Sequence, residues 1–262
     1  MDIFSRNIDS LCDAGLGASH DEWCDLDGRV LSVSDNLMNE ELKHVKRFLL
    51  RQESAGMKQW RDKLGLFERL VYFAIEGSVN QNFFESVCQL SQLKRLSIVR
   101  SRVKSIEKIQ HLSNLTHFNL MGSPGLESFG PLRNLSGLSA LSLCGDFKVI
   151  NSLDCLAELP FLKSLTLSGI ETKAKKYQSL SPIMSMCNLK AIMLFNVHFL
   201  SQGLTPLAKL KKLEYIVIPR SCLKFWGRGD YRLLYESLPN LKTEWVELAA
   251  FNTEFQREYK IT

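Results

Sequence analysis

Residues 93–120 read LKRLSIVRSRVKSIEKIQHLSNLTHFNL. One pattern occurs twice in this stretch. Leu93, Leu96 and Ile98 hold the first, fourth and sixth places of a unit, and Leu115, Phe118 and Leu120 hold the same places 22 residues later. Apolar residues at the fourth and sixth places are the period-2 mark of a strand with one buried face. Val103, Ile106, Ile109 and Leu112 then recur at steps of three, which suits a short 3-10 or helical segment. A coil of this size cannot bury its own apolar side. Stacked on its neighbours, it contributes to a continuous core beside one long parallel sheet.

Working outward, the same opening recurs at Leu70/Phe73/Ile75, Leu138/Leu141/Leu143, Leu162/Leu165/Leu167, Leu189/Ile192/Leu194 and Leu213/Ile216/Ile218. A degraded copy follows at Leu241/Glu244/Val246, and successive steps run from 22 to 28 residues. The unit at 93–114 resembles the 22-residue class of leucine-rich repeat, typified by a protein-phosphatase regulatory subunit, and the likeness covers roughly residues 70–248. It implies an α/β solenoid with a concave parallel sheet, a helical or 3-10 convex side and an N-terminal helical cap. That family usually carries Asn at the ninth place, bonding neighbouring coils. Here the ninth place holds Ser78, Ser101, Ser123, Asp146, Ile170, Val197 and Ser221. The serines and the aspartate are able to replace that ladder in part. Ile170 and Val197 are not, so an irregular convex side is expected after residue 170.

Three regions follow: residues 1–69 as a mostly helical cap, 70–240 as the repeats, and 241–262 as a degenerate repeat and C-terminal cap. Within the first, Ile3–Ala14 suits a short helix and Arg29–Val33 a strand. Gly28, Leu31 and Val33 fall at the first, fourth and sixth places of one atypical repeat, while Leu42, Val45 and Leu49 mark one helical face with Phe48 alongside. A separate small domain is the alternative. Two coils carry insertions, around Glu171–Ser181 and Pro219–Tyr231, and insertions in solenoids map to loops near the binding face. Lys175 and Tyr177 in the first, and Phe225, Trp226 and Arg228 in the second, are therefore candidate rim contacts. Phe225 and Trp226 are equally able to plug the end of the core.

The places between the buried ones should line the concave face. Tyr72, Arg95, Arg100, His117, Asn119 and Met121 stand on one side, with Met193, Phe195, Tyr215 and Arg220 on the other. Ser142 and Thr166 lie between them in a stretch of Ala, Ser, Thr, Cys and Gly. This pattern suggests either a shallow trough with bulky walls, or small residues suited to a tightly curved inner sheet. Tyr and Arg are the side chains that anchor protein interfaces.

The charge is mild, 33 basic against 28 acidic side chains, but uneven. Residues 1–40 hold nine acidic and two basic side chains, so the remainder is basic. That excess, with Lys173, Lys175, Lys176, Lys209, Lys211 and Lys212, keeps a nucleic-acid partner open as the lesser alternative. Seven cysteines without C-x-x-C spacing read as reduced, buried thiols. With no signal sequence and no run of 18 apolar residues, the expectation is a cytoplasmic protein with no membrane contact; secretion without a signal is compatible too. His20, Asp21, Glu22, Cys24, Asp25 and Asp27 are dense in potential ligands but match no zinc or calcium spacing, and read as an acidic capping loop. No phosphate loop or nucleophile motif occurs, so neither enzyme chemistry, a metal nor a cofactor is expected. Arg228-Gly229-Asp230 matches an adhesion tripeptide, and Asn114 and Asn134 open sequons that arise from the repeat's own Asn-Leu opening. The residues thus point to a non-catalytic scaffold gripping another protein, as a monomer or in a heterocomplex. A regulator or inhibitor of the immunity type and an effector acting on a host protein are the two concrete versions.

Overall fold

The computed structural model describes residues 38–52, 54–170, 172–218 and 228–241, with the backbone of two further short strands. Those two, β1 (Cys24–Asp25) and β2 (Arg29–Val30), pair antiparallel. The strands that follow are β3 (Arg47–Gln52), β4 (Tyr72–Val79), β5 (Arg95–Ser101), β6 (His117–Met121), β7 (Ala140–Cys144) and β8 (Ser164–Ser168). After them come β9 (Lys175–Ser179), β10 (Ala191–Phe195), β11 (Val197–Ser201) and β12 (Tyr215–Val217).

Eight of these make one parallel sheet whose spatial order follows the chain, β3-β4-β5-β6-β7-β8-β10-β12. Equivalent places of successive coils stack in register although the coils differ in length. Tyr72 lies beside Arg95, which lies beside His117, and the row continues through Ala140, Ser164, Ala191 and Tyr215. The fourth- and sixth-place residues point the other way. Leu96, Ile98, Phe118, Leu120, Leu141, Leu143, Leu165 and Leu167 are fully buried in one continuous core. Each such side chain contributes about 1.5–3 kcal/mol by leaving water. The α/β solenoid expected from the repeat is therefore present.

The convex side changes character along the chain. Helices α1 (Asn39–Leu42), α2 (Ser54–Lys63) and α3 (Gln81–Val87) serve the first coils. Each of the next five coils has a 3-10 segment instead, at 107–111, 130–134, 154–158, 181–185 and 205–209. Pro131, Pro182 and Pro206 sit in the first turns of three of them, where a missing N–H costs nothing.

The ninth-place residues do not form the expected ladder. Ser101 Oγ accepts from the Val103 N–H of its own coil at 3.0 Å, and Asp146 pairs with Lys173 at 3.2 Å. A recurring set of inter-coil bonds comes instead from the polar residue just before four of the opening leucines. Gln92 donates to the Phe67 carbonyl at 2.8 Å and Asn114 to Ser91 at 2.9 Å. Asn188 donates to Pro160 at 3.0 Å and Asn240 to Lys211 at 2.9 Å.

One expectation about the elements fails. The helical face of Leu42, Val45 and Leu49 does not exist, because α1 ends at Leu42 and Arg47–Gln52 is a strand parallel to β4. A repeat opens instead at Val45, with Phe48 and Leu50 at its fourth and sixth places. Residues three apart fit both a helix and this opening. Phe48 tips the balance, since as a strand residue it enters an aromatic cluster 4.9 Å from Trp60, 5.2 Å from Phe67 and 5.8 Å from Phe73. These rings fill the core of the first coil. Leu31 and Val33, and the helix expected over 3–14, lie outside the described residues.

The insertion at 171–181 is not a rim loop. Its β9 pairs in parallel with β11, with Lys175 beside Val197 and Tyr177 beside Phe199. This second, two-stranded sheet stands where Ile170 and Val197 replace the polar ninth-place residues. Gly169 permits the crossing, because a Cβ there would lie 2.3 Å from the Asn196 carbonyl oxygen and 2.8 Å from the Lys175 nitrogen. At the far end, α4 (Arg228–Ser237) packs Leu234 into the core, and Asp230 Oδ1 accepts the Leu204 N–H at 3.3 Å. The Arg-Gly-Asp tripeptide is thus the first turn of a docked helix.

Candidate functional site: the concave sheet and its edges

The concave face has a closed middle and more accessible flanks. Asn119, Ser142 and Thr166, expected on the surface of a trough, are 0%, 1% and 5% exposed. In-register parallel strands bring these small polar side chains shoulder to shoulder. Asn119 Nδ2 donates to Ser97 Oγ at 2.9 Å, and Ser142 Oγ lies 3.3 Å from Cys144 Sγ. Asn119 Oδ1 and Ser164 Oγ are buried without a hydrogen-bond partner. The floor is therefore inside the molecule, and the open-trough expectation is corrected at these three residues. Tyr72 and Tyr215 are buried as well. Each anchors a small apolar cluster on its flank, Tyr72 with Leu49 and Ala74, and Tyr215 with Ala191 and Val217.

Accessible surface remains on both sides of that floor. On the side of β4–β6, Arg95, His117 and Met121 are half-buried and Arg100 is exposed. Arg95 holds its guanidinium 5.7 Å from the centre of the Tyr72 ring, a cation–π contact. His117 Nδ1 lies 2.9 Å from Thr116 Oγ1. On the side of β10, Met193 and Phe195 are half-buried, and Phe195 also packs on the main core. Arg220, Phe225 and Trp226 lie outside the described residues, and Arg228 opens α4 and does not stand in a loop.

Two clefts lie at opposite ends of the first strands. One, of about 290 Å³, is lined by Arg47, Val71, Tyr72, Lys94 and Arg95. The other, of about 430 Å³, is lined by Gly77, Ser78, Arg100, Ser101, Arg102, Gly122 and Pro124. Arg47 and Arg102 were not among the expected contacts. Arg47 was hidden by the helical reading of its segment, and Arg102 lies one place beyond the ninth.

Lys175 and Tyr177 are corrected outright. Tyr177 is fully buried, its ring stacked on Phe199 at 6.3 Å, and its hydroxyl has no partner. Burial raises its pKa above the usual phenol value. Lys175 is 7% exposed, donates to the Phe147 carbonyl, and has its amine pKa pushed down by desolvation. Alternation over 175–179 turns these side chains inward, away from the rim. The proposed basic track thins accordingly. Lys173 pairs with Asp146, Lys211 donates to the Ser237 carbonyl at 2.7 Å, and Lys212 to Asn188 Oδ1 at 2.8 Å. Of the described thiols, Cys88 and Cys144 are buried, Cys155 half-buried and Cys187 exposed. The acidic group at 20–27 lies outside the described side chains. Among the described residues, no helix is long and apolar enough to cross a membrane.

No protein-family model matches this chain, and no curated protein does. Solved structures match by shape. A leucine-rich-repeat protein of Leptospira interrogans aligns over 78% of this chain and 55% of its own, at 16% identity and a TM-score of 0.53. Internalin C2 of Listeria monocytogenes aligns over 70% of this chain and 75% of its own, at 18% identity and a TM-score of 0.47. The register of the eight-stranded sheet and the Leptospira likeness agree: this chain has the leucine-rich-repeat fold.

Proposed function

We propose that this protein is a non-catalytic scaffold that binds another protein across its concave sheet, as a regulator or inhibitor of that partner. One observation carries the reading. The larger accessible side chains of the described concave face stand on two flanks, with Arg95, Arg100, His117 and Met121 on one and Met193 and Phe195 on the other. Aromatic, Met and Arg side chains on a rigid sheet supply contact area and forked hydrogen bonds without ordering a loop. A partner seated there would bridge the closed floor and engage both flanks. An immunity-type inhibitor and an effector acting on a host protein are two forms of this function. Nucleic acid is the weaker reading, because Lys173, Lys175, Lys211 and Lys212 are engaged within the molecule.

A photo-crosslinking residue placed singly at Met121, Met193 or Phe195, and for contrast at Lys108 or Glu158 on the convex side, tests this. The expected result is one common protein captured from the three concave positions and absent from the two convex ones. Equal capture from both sides, or none from the concave side, overturns it.

A further inference from the structure

At the eighth place of four of the six described repeats, near the end of the strand, the backbone turns left-handed. Gly122 has φ +71° and Gly145 φ +143°, while Asn196, at φ +50°, is of the residue type that best tolerates this region after glycine. Arg100 stands in the same column at φ +63°. An arginine gains nothing locally from this conformation, since it has no short polar side chain to bond its own backbone. Such an outlier points to a demand on the side chain. The side chain of Arg100 lines the cleft of about 430 Å³ together with Arg102, and both are exposed. Neither forms an ion pair among the described residues, and no acidic residue is among those lining the cleft. Around them Gly77, Gly122 and the small Ser78 and Ser101 keep the walls low.

We infer that this cleft, at the C-terminal ends of β4, β5 and β6, receives an acidic side chain of the protein partner. The inference rests on the protein-binding reading and names the chemistry of one contact within it. Two guanidinium groups suit a carboxylate, which accepts a forked pair of hydrogen bonds. A nucleic acid fits less well, because the cleft is short and no aromatic ring lines it to stack a base.

The test uses the full chain and fluorescein-labelled octaglutamate, read by anisotropy at low salt, with octaglutamine as the neutral control and an eight-residue oligouridylate as the competing polyanion. Octaglutamate should bind and octaglutamine should not. R100G and R102Q should each weaken octaglutamate by about tenfold or more, while K108Q on the convex side leaves it unchanged. R100G should also melt no lower than the parent, because glycine suits the left-handed backbone. The inference is overturned if neither arginine variant weakens octaglutamate, if K108Q weakens it equally, or if oligouridylate binds more tightly with the same arginine dependence. Crosslinking separates the two levels. Capture from Met193 and Phe195 with an arginine-independent peptide result defeats this contact alone, and loss of concave capture defeats the reading beneath it.

Discussion

Replacing Tyr177 by phenylalanine should make the protein more stable. The ring is fully buried against Phe199, and the hydroxyl has no hydrogen-bond partner. A hydroxyl taken from water without a new partner costs about 1–3 kcal/mol. Y177F keeps the stacked ring and removes that cost. In a chain of this length 1 kcal/mol moves the melting temperature by about 2–4 °C, so an upward shift of roughly 2–12 °C is expected. Y177A is the necessary partner experiment, since losing the whole ring from the core should cost about 3–5 kcal/mol. Circular dichroism during thermal and urea unfolding reads both. Hydrogen exchange should show the change concentrated in β9 and β11, because a solenoid responds mainly through neighbouring coils. A Y177F protein that melts at or below the parent would mean the hydroxyl is satisfied. A Y177A protein that melts unchanged would return Tyr177 to the rim and undo the two-stranded second sheet.

Three further outcomes follow from the packing and the buried groups. G169A should cost about 3 kcal/mol or more, because its methyl would meet the backbone of Asn196 and Lys175 and neither is a side chain that can swing aside; an unchanged denaturation midpoint would refute this. N188A removes both a donor to the Pro160 carbonyl and the acceptor of Lys212, and should lower stability by about 1 kcal/mol on urea titration, whereas N134A, whose bond at 3.3 Å runs only to the exposed Gln110 side chain, should do far less. Stability should fall in alkali. Burial pushes the Cys88 thiol from 9.0 up to about 12 and the Cys155 thiol to about 11, so from pH 9 upward the unfolded chain releases protons that the folded chain keeps. Each such thiol gives a loss approaching about 1.4 kcal/mol per pH unit. Lys175, its pKa lowered by burial, acts with the opposite sign, since its folded form sheds a proton first and stability is regained as pH rises toward 10.5. Urea midpoints of C88A and the parent between pH 8 and 10.5 should show a shallower loss in the variant, and parallel curves would contradict the assignment.

The repeat was legible because its signal is redundant: seven openings agree on one register, and every strand from β4 to β12 in the main sheet begins two residues after its opening leucine. Where a segment offers only one copy, competing periods are not resolved. Val45, Phe48 and Leu50 carry the opening, yet Leu42, Val45 and Leu49 carry a helical spacing as well, and only the aromatic partners from α2 and β4 separate them. The second sheet had a signal, the alternation Val197-His198-Phe199 facing Lys175-Lys176-Tyr177, but pairing between segments 22 residues apart and outside the main strand column is a tertiary fact. Burial of the concave floor was less accessible still. Columns of small polar residues look the same whether water or neighbouring side chains lie over them, and only exposure distinguishes a binding surface from a second packed layer. The eighth column shows the limit most clearly. Gly77, Gly122, Gly145, Gly169 and Asn196 form a column that arginine interrupts at 100 and again at 220, so the oddity of Arg100 is visible as a broken column in the letters. What the letters do not hold is that the backbone there turns left-handed regardless, and that difference makes the arginine a tolerated strain, kept for its side chain, where a local change of fold would have made it unremarkable.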